Sequence, residues 1–102
     1  MSSASLREHA AGELLLGGVL DADSGPTLRA QGLALIKGTS ATTVTVDCSS
    51  VEKSSSVGLA LLLAFMRDAA QHGKELRVRA LPDDMRQIAE VCQLLELLPL
   101  EA

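Results

Sequence analysis

From Val46 to Phe65 the chain reads VDCSSVEKSSSVGLALLLAF. Five serines, with Glu52 and Lys53 among them, run into ten unbroken apolar or glycine positions, Val57 to Met66. Just upstream, residues 42–47 (TTVTVD) are rich in β-branched side chains, which pack well on a pleated surface and predict a strand. Downstream, the residues from about Ser56 to His72 are expected to form a helix, closed by Gly73 in the left-handed conformation. Serines at such a junction could act as a nucleophile, a modification site, a phosphate cradle or a helix cap.

The flanking segments extend this strand–serine–helix unit in both directions. Ser5–Ala10 reads as a short edge strand, and Glu13–Leu20 (ELLLGGVL) as a strand with a bulge or bend at Gly17–Gly18. Asp21–Gly25 has turn chemistry. Ser24 or Gly25 then caps a helix with Pro26 in its first position, where a missing N–H costs nothing, and Gly38 ends it. Leu28, Leu35 and Ile36 of that helix are assigned to the core. Glu75–Arg79 (ELRVR) alternates apolar and charged residues, as a strand with one wet face does. Leu81–Pro82 opens a last helix with Asp83 and Asp84 in its first turn, where the helix dipole favours acids, and with Met85, Ile88, Ala89 and Cys92 along one stripe. Residues 1–4 are expected to fray, and the tail LLELLPLEA to pack back irregularly. The order β-β-α-β-α-β-α implies parallel strand pairs with right-handed crossovers. This is an α/β fold, a small mixed sheet covered by helices mainly on one face, and the 102 residues suit a single domain, 1–102.

Composition removes several function classes. Hydrophobic residues make up 47% of the chain and charged residues 22%, which provides for a packed core. The net charge is −4, acids and bases are interspersed, and Phe65 is the lone aromatic residue. A nucleic-acid binder needs a basic patch and aromatic platforms, so no nucleic-acid partner is expected. Cys48 and Cys92 match no metal or redox spacing and read as two reduced core thiols; neither a metal nor a cofactor is called for. The opening MSSASLREHAAGE lacks an apolar signal-peptide core, and the longest apolar stretch is about half of a bilayer span. A cytoplasmic protein without direct membrane insertion is expected.

On a wheel of 100° per residue, Leu59, Leu62, Leu63, Met66, Ala69 and Ala70 share one side of the long helix and should bury on the sheet. The opposite side is polar in its C-terminal half, with Arg67, Asp68, Gln71 and His72 read as solvated. Its N-terminal half is Val57, Ala60, Leu61 and Ala64, with Ser56 at the end of the same stripe. Such a surface needs a cover, either a neighbouring helix of the same domain or another protein. In the second case these four residues supply apolar ground, Ser56 a hydroxyl at the contact, and Lys53 with Arg67 a polar rim.

Enzymatic readings of the serines fare poorly, and no catalytic residue is assigned. A serine nucleophile needs a base, yet His72 lies about 24 Å from Ser56 along the helix at ~1.5 Å per residue, and His9 is a lone histidine near the chain's start. There is no G-x-S-x-G elbow and no G-x-x-x-x-G-K-[ST] phosphate loop. The pairs Asp83/Asp84 and Asp21/Asp23 stand where caps and turns favour acids. Capping fits better, because Ser55 and Ser56 can each offer an oxygen to the first free N–H groups of the helix.

The run Asp47-x-Ser49-x-Val51, followed by Ser55-Ser56-Val57-Gly58-Leu59 at the head of an apolar helix, resembles the signature of the STAS domain, the anti-sigma-factor-antagonist fold. The earlier Leu14–Asp21 segment, LLLGGVLD, resembles that family's earlier strand of the L-x-L-x-G-x-L-D type, and the likeness spans nearly the whole chain. Two positions depart from the pattern. Ser55 stands where the family has an aspartate, and Val57 where anti-sigma-factor antagonists carry the serine they phosphorylate; a valine accepts no phosphate. Within the family, Gly58–Leu63 (GLALLL), Gln71-His72-Gly73 and the leucine-proline tail are similar to the MlaB branch, in which a functionally important threonine matches Ser56. That resemblance implies a non-enzymatic cytoplasmic subunit, peripheral at the inner membrane through its partner. The partner would be the ATPase of an Mla-type ABC phospholipid transporter that maintains outer-membrane lipid asymmetry, bound through the start of this helix. The alternative it implies is a regulatory protein of a kinase/phosphatase partner-switch, with Ser56 or Ser55 as phosphoacceptor.

Overall fold

Alternation along the strands decides which side of the sheet is dry. In the computed structural model, which describes residues 4–101, β1 (Ser5–Ala10), β2 (Glu13–Leu20), β3 (Thr43–Ser54) and β4 (Glu75–Arg79) form one sheet in the order β1-β2-β3-β4. β1 is antiparallel to β2, as a short connection requires, whereas β2–β3 and β3–β4 are parallel. The parallel pairs are joined through α1 (Gly25–Gly38) and α2 (Ser56–Gln71), and α3 (Asp83–Val91) completes the expected order β-β-α-β-α-β-α. Leu6, Leu14, Leu16, Val44, Val46, Cys48, Leu76 and Val78 are buried in one core with Leu28 and Ile36 of α1, Leu62 and Phe65 of α2, and Met85 of α3. The helices therefore cover one face. The other face carries Arg7, Leu15, Asp47 and Arg79 in a cross-strand row, none of them fully buried.

β3 is longer than its β-branched run indicates. A strand ending at Asp47 is expected, but it continues to Ser54 and takes in four exposed polar residues, Ser49, Ser50, Glu52 and Lys53. The cause is pairing: Gly17, Gly18, Val19 and Leu20 of β2 stand opposite Ser50, Val51, Lys53 and Ser54. Register shifts on either side of Gly17–Gly18 match the bulge expected there.

The two crossover helices meet at Gly32 and Phe65. The Phe65 ring, wholly buried, occupies the space that a side chain on Gly32 would need, so α1 and α2 approach closely at that point. Burying such a ring contributes roughly 2–3 kcal/mol. Ser24 precedes α1, but its hydroxyl braces the turn instead of capping the helix. It accepts from the Asp21 N–H at 3.1 Å, while Asp21 Oδ1 accepts from the N–H groups of Asp23 and Ser24, both at 3.0 Å. At the other end of α1, Lys74 Nζ donates to the carbonyls of Ile36 and Thr39, placing a cation at the helix C-terminus. α2 ends at Gln71, followed by Gly73 with φ of 69°.

A smaller core forms around Leu59, Ala89 and Leu98, with Leu63, Met66, Leu81 and Ile88 packed against it. Cys92 does not join it. α3 stops at Val91, the chain turns at Cys92 and Gln93, and Cys92 is exposed, so only Cys48 is a core thiol. The tail does pack back: after a 3-10 turn at Leu95–Leu97, Leu100 bridges Val78 and covers the outer edge of β4. Arg79 fastens it by donating from Nε to Glu101 Oε1 at 3.3 Å and from Nη1 to Glu13 Oε1 at 3.0 Å. Of the four N-terminal residues expected to fray, 1–3 lie outside the described residues, and Ala4 packs against the core.

Candidate partner-docking surface

The three consecutive serines have three different fates. Ser54, the last residue of β3, donates from its backbone N–H to Asp84 Oδ2 at 3.0 Å and from its hydroxyl to the Ser55 carbonyl at 2.7 Å. Ser55 is the N-cap of α2, its Oγ accepting from the Val57 N–H at 3.2 Å. Ser56 is the first helical residue and is exposed, and its hydroxyl has no hydrogen-bond partner among the described residues. Upstream, the Ser49 N–H donates to Asp47 Oδ1 at 2.9 Å. Burial alone would push the Asp47 carboxyl up, but hydrogen bonding from Ser49 and the charges of Arg79 and His9 outweigh it and hold the group below the usual range.

Across the helix pair, Val57, Ala60, Leu61 and Ala64 of α2 face Ala22, Gly25, Pro26 and Arg29 over a surface groove of about 430 Å³. The four α2 positions singled out in the sequence thus lie together, but they are not equally open. Ala60 is exposed, Val57 and Ala64 are half-buried, and Leu61 is only 4% exposed and belongs to the main core. Of the two coverings expected for this stripe, the neighbouring helix supplies one in part: α1 seals the floor, and the upper wall stays open. Lys53 and Arg67 are exposed but do not line the groove, and neither Ser55 nor Ser56 does.

The polar half of α2 is not solvated throughout. Asp68, expected to be solvated, is 3% exposed and accepts from Arg29 in a side-on pair, Nε to Oδ2 at 3.3 Å and Nη2 to Oδ1 at 3.2 Å. Seven residues beyond Leu61, Asp68 falls on the same stripe of the helix and is drawn under α1 with it. The hydrogen bonds and charge of Asp68 raise the Arg29 pKa, against a small opposing effect of burial, so the guanidinium stays charged. Ala70, assigned to the buried side, is exposed near the helix end.

His9 and His72 are both exposed, on β1 and just beyond α2, and neither bonds a serine among the described residues. No group of three or more His, Cys, Asp or Glu among the described residues is placed to hold a metal ion, and no helix there is long and apolar enough to cross a membrane.

A family model described as "Mlab, STAS domain" matches residues 4–99. The chain belongs to the STAS domain family. Solved structures of STAS proteins share its fold. SpoIIAA in its unphosphorylated form is 17% identical with a TM-score of 0.73, the match covering 98% of this chain and 89% of that one. An anti-sigma factor antagonist from Mycobacterium paratuberculosis is 24% identical with a TM-score of 0.73, covering 96% and 83%. A STAS protein from Planctomyces limnophilus is 16% identical with a TM-score of 0.72, covering 100% and 91%. No curated protein matches. STAS domains are in general regulatory or binding modules that act through protein–protein contacts.

Proposed function

We propose that this STAS domain is a non-enzymatic docking subunit that binds and supports the ATPase of an Mla-type ABC phospholipid transporter. The observation that carries this reading is the half-open groove at the head of α2, where exposed Ala60 stands between half-buried Val57 and Ala64. Small side chains four residues apart let a partner's backbone come close. Ser56, exposed beside this surface and free of partners within the described residues, is the hydroxyl offered to the docked subunit, and Lys53 and Arg67 are its flanking charges. The MlaB description of the matching family supports the choice of partner. The cargo lipid is handled by other subunits, and this chain reaches the inner membrane from the cytoplasm through its partner.

Ala60→Glu tests the reading, because it places a charge on the groove wall without touching the core. Pull-down with an Mla-type ATPase should fail while circular dichroism of the isolated domain stays unchanged; retained binding sinks the interface.

A second reading, a partner-switch regulator phosphorylated on serine, is favoured by the exposure of Ser55 and Ser56 at the head of α2. Val57 at the usual acceptor position counts against it. Phosphate on either serine in cell-derived protein, read by mass spectrometry, would favour this second reading over the first.

A further inference from the structure

Building on the docking reading, we infer that the segment seated in the α1/α2 groove carries a carboxylate, from an Asp or Glu side chain, that pairs with Arg29. Arg29 is the charged residue of an otherwise apolar lining, and no acid lines the groove. Its guanidinium is held by Asp68 through Nε and Nη2, at 3.3 and 3.2 Å. That side-on geometry leaves the terminal edge of the fork, both N–H groups of Nη1 and the second of Nη2, without a partner among the described residues. The Arg29 side chain is 44% exposed and that of Asp68 is 4% exposed, so the pair presents its positive end outward.

A wholly apolar segment lying here would strip water from those donors and return nothing, which costs binding free energy. A carboxylate accepting from the terminal edge replaces the lost water, and the planar fork suits it. Asp68 also holds the arginine in place beforehand, so little side-chain freedom is lost on docking. The occupant that fits is a helix with a small or apolar side against Ala60 and an acid on the same face, reaching Arg29. Asp21, in the turn before α1, is occupied by the N–H groups of Asp23 and Ser24 and does not compete for the guanidinium in the structure.

The test is titration of the full-length protein with a full-length Mla-type ATPase at low and high salt, using Ala60→Glu and the double variant Arg29→Gln/Asp68→Asn. The double variant removes both charges while keeping two hydrogen-bonding side chains of similar shape. Binding weaker on the order of tenfold, with a flattened salt dependence, is the expected result. If the double variant binds with the wild-type Kd and salt dependence while Ala60→Glu does not bind, the carboxylate is overturned and the docking reading stands. If Ala60→Glu binds like wild type, the docking reading fails and the carboxylate with it. Should thermal melts show that the double variant is unfolded, Arg29→Met/Asp68→Leu, in which an apolar pair replaces the ionic one, takes its place under the same criteria.

Discussion

Arg29 on α1 and Asp68 on α2 form a two-point ion pair whose acidic member is buried and whose basic member is half in solvent. The two halves of this pair are not equivalent to lose. Arg29→Leu strands a desolvated carboxylate, whereas Asp68→Asn leaves an arginine that water can reach. The first variant should therefore melt at a lower temperature than the second, and the second should stay nearer to wild type. Thermal unfolding followed by circular dichroism ranks them, and equal midpoints would show that the pair is not a clasp between the helices.

Close approach at Gly32 gives a second expectation. A methyl group there meets the Phe65 ring, and neither the ring nor α1 can move without disturbing the core. Overpacking outweighs the helix propensity gained, so Gly32→Ala should lose about 1–2 kcal/mol. Urea unfolding should show a lower midpoint at unchanged slope.

The serines at the head of α2 separate by role. Ser55→Ala removes the oxygen that accepts from the Val57 N–H and should lose about 1 kcal/mol of stability. Ser56→Ala removes an exposed hydroxyl and should change stability by less than about 0.5 kcal/mol. The order is reversed for partner binding, where Ser56→Ala is the variant expected to weaken the complex. Denaturation and pull-down on the same two proteins check both halves.

The two thiols should differ in reactivity. Burial, with a smaller contribution from the Asp47 charge, pushes the Cys48 thiol up to about 12 from an ordinary 9.0, whereas Cys92 is exposed. A disulfide-exchange reagent at pH 8 should label Cys92 quickly and Cys48 only on unfolding. The raised value also makes stability depend on pH. Below about pH 9 both folded and unfolded chains keep the Cys48 proton and its contribution is complete; above it the unfolded thiol ionises first. Stability should fall by about 1.4 kcal/mol per pH unit from this group as the pH rises from 9 toward 12. A Cys48→Ala variant should lack that component of the slope.

The element order, the fold class and the location of an apolar stripe at the head of α2 were all legible in the order of residues. These follow from short-range signals: β-branched runs, Pro26 at a helix start, Gly73 at a helix end, and the 3.6-residue period. How far β3 runs emerged only in the folded chain, because Ser49 to Ser54 are held as strand by pairing with β2, and polar side chains on an overhanging strand leave no periodic trace. The groove likewise needed three dimensions. One wall was readable from α2, but Gly25, Pro26 and Arg29 come from a helix some thirty residues earlier, and only packing sets them opposite Ala60 and turns Asp68 from a solvent-facing acid into Arg29's buried partner. Local patterns encode which face of an element is apolar; what that face meets depends on contacts distant in sequence, and no single segment contains them.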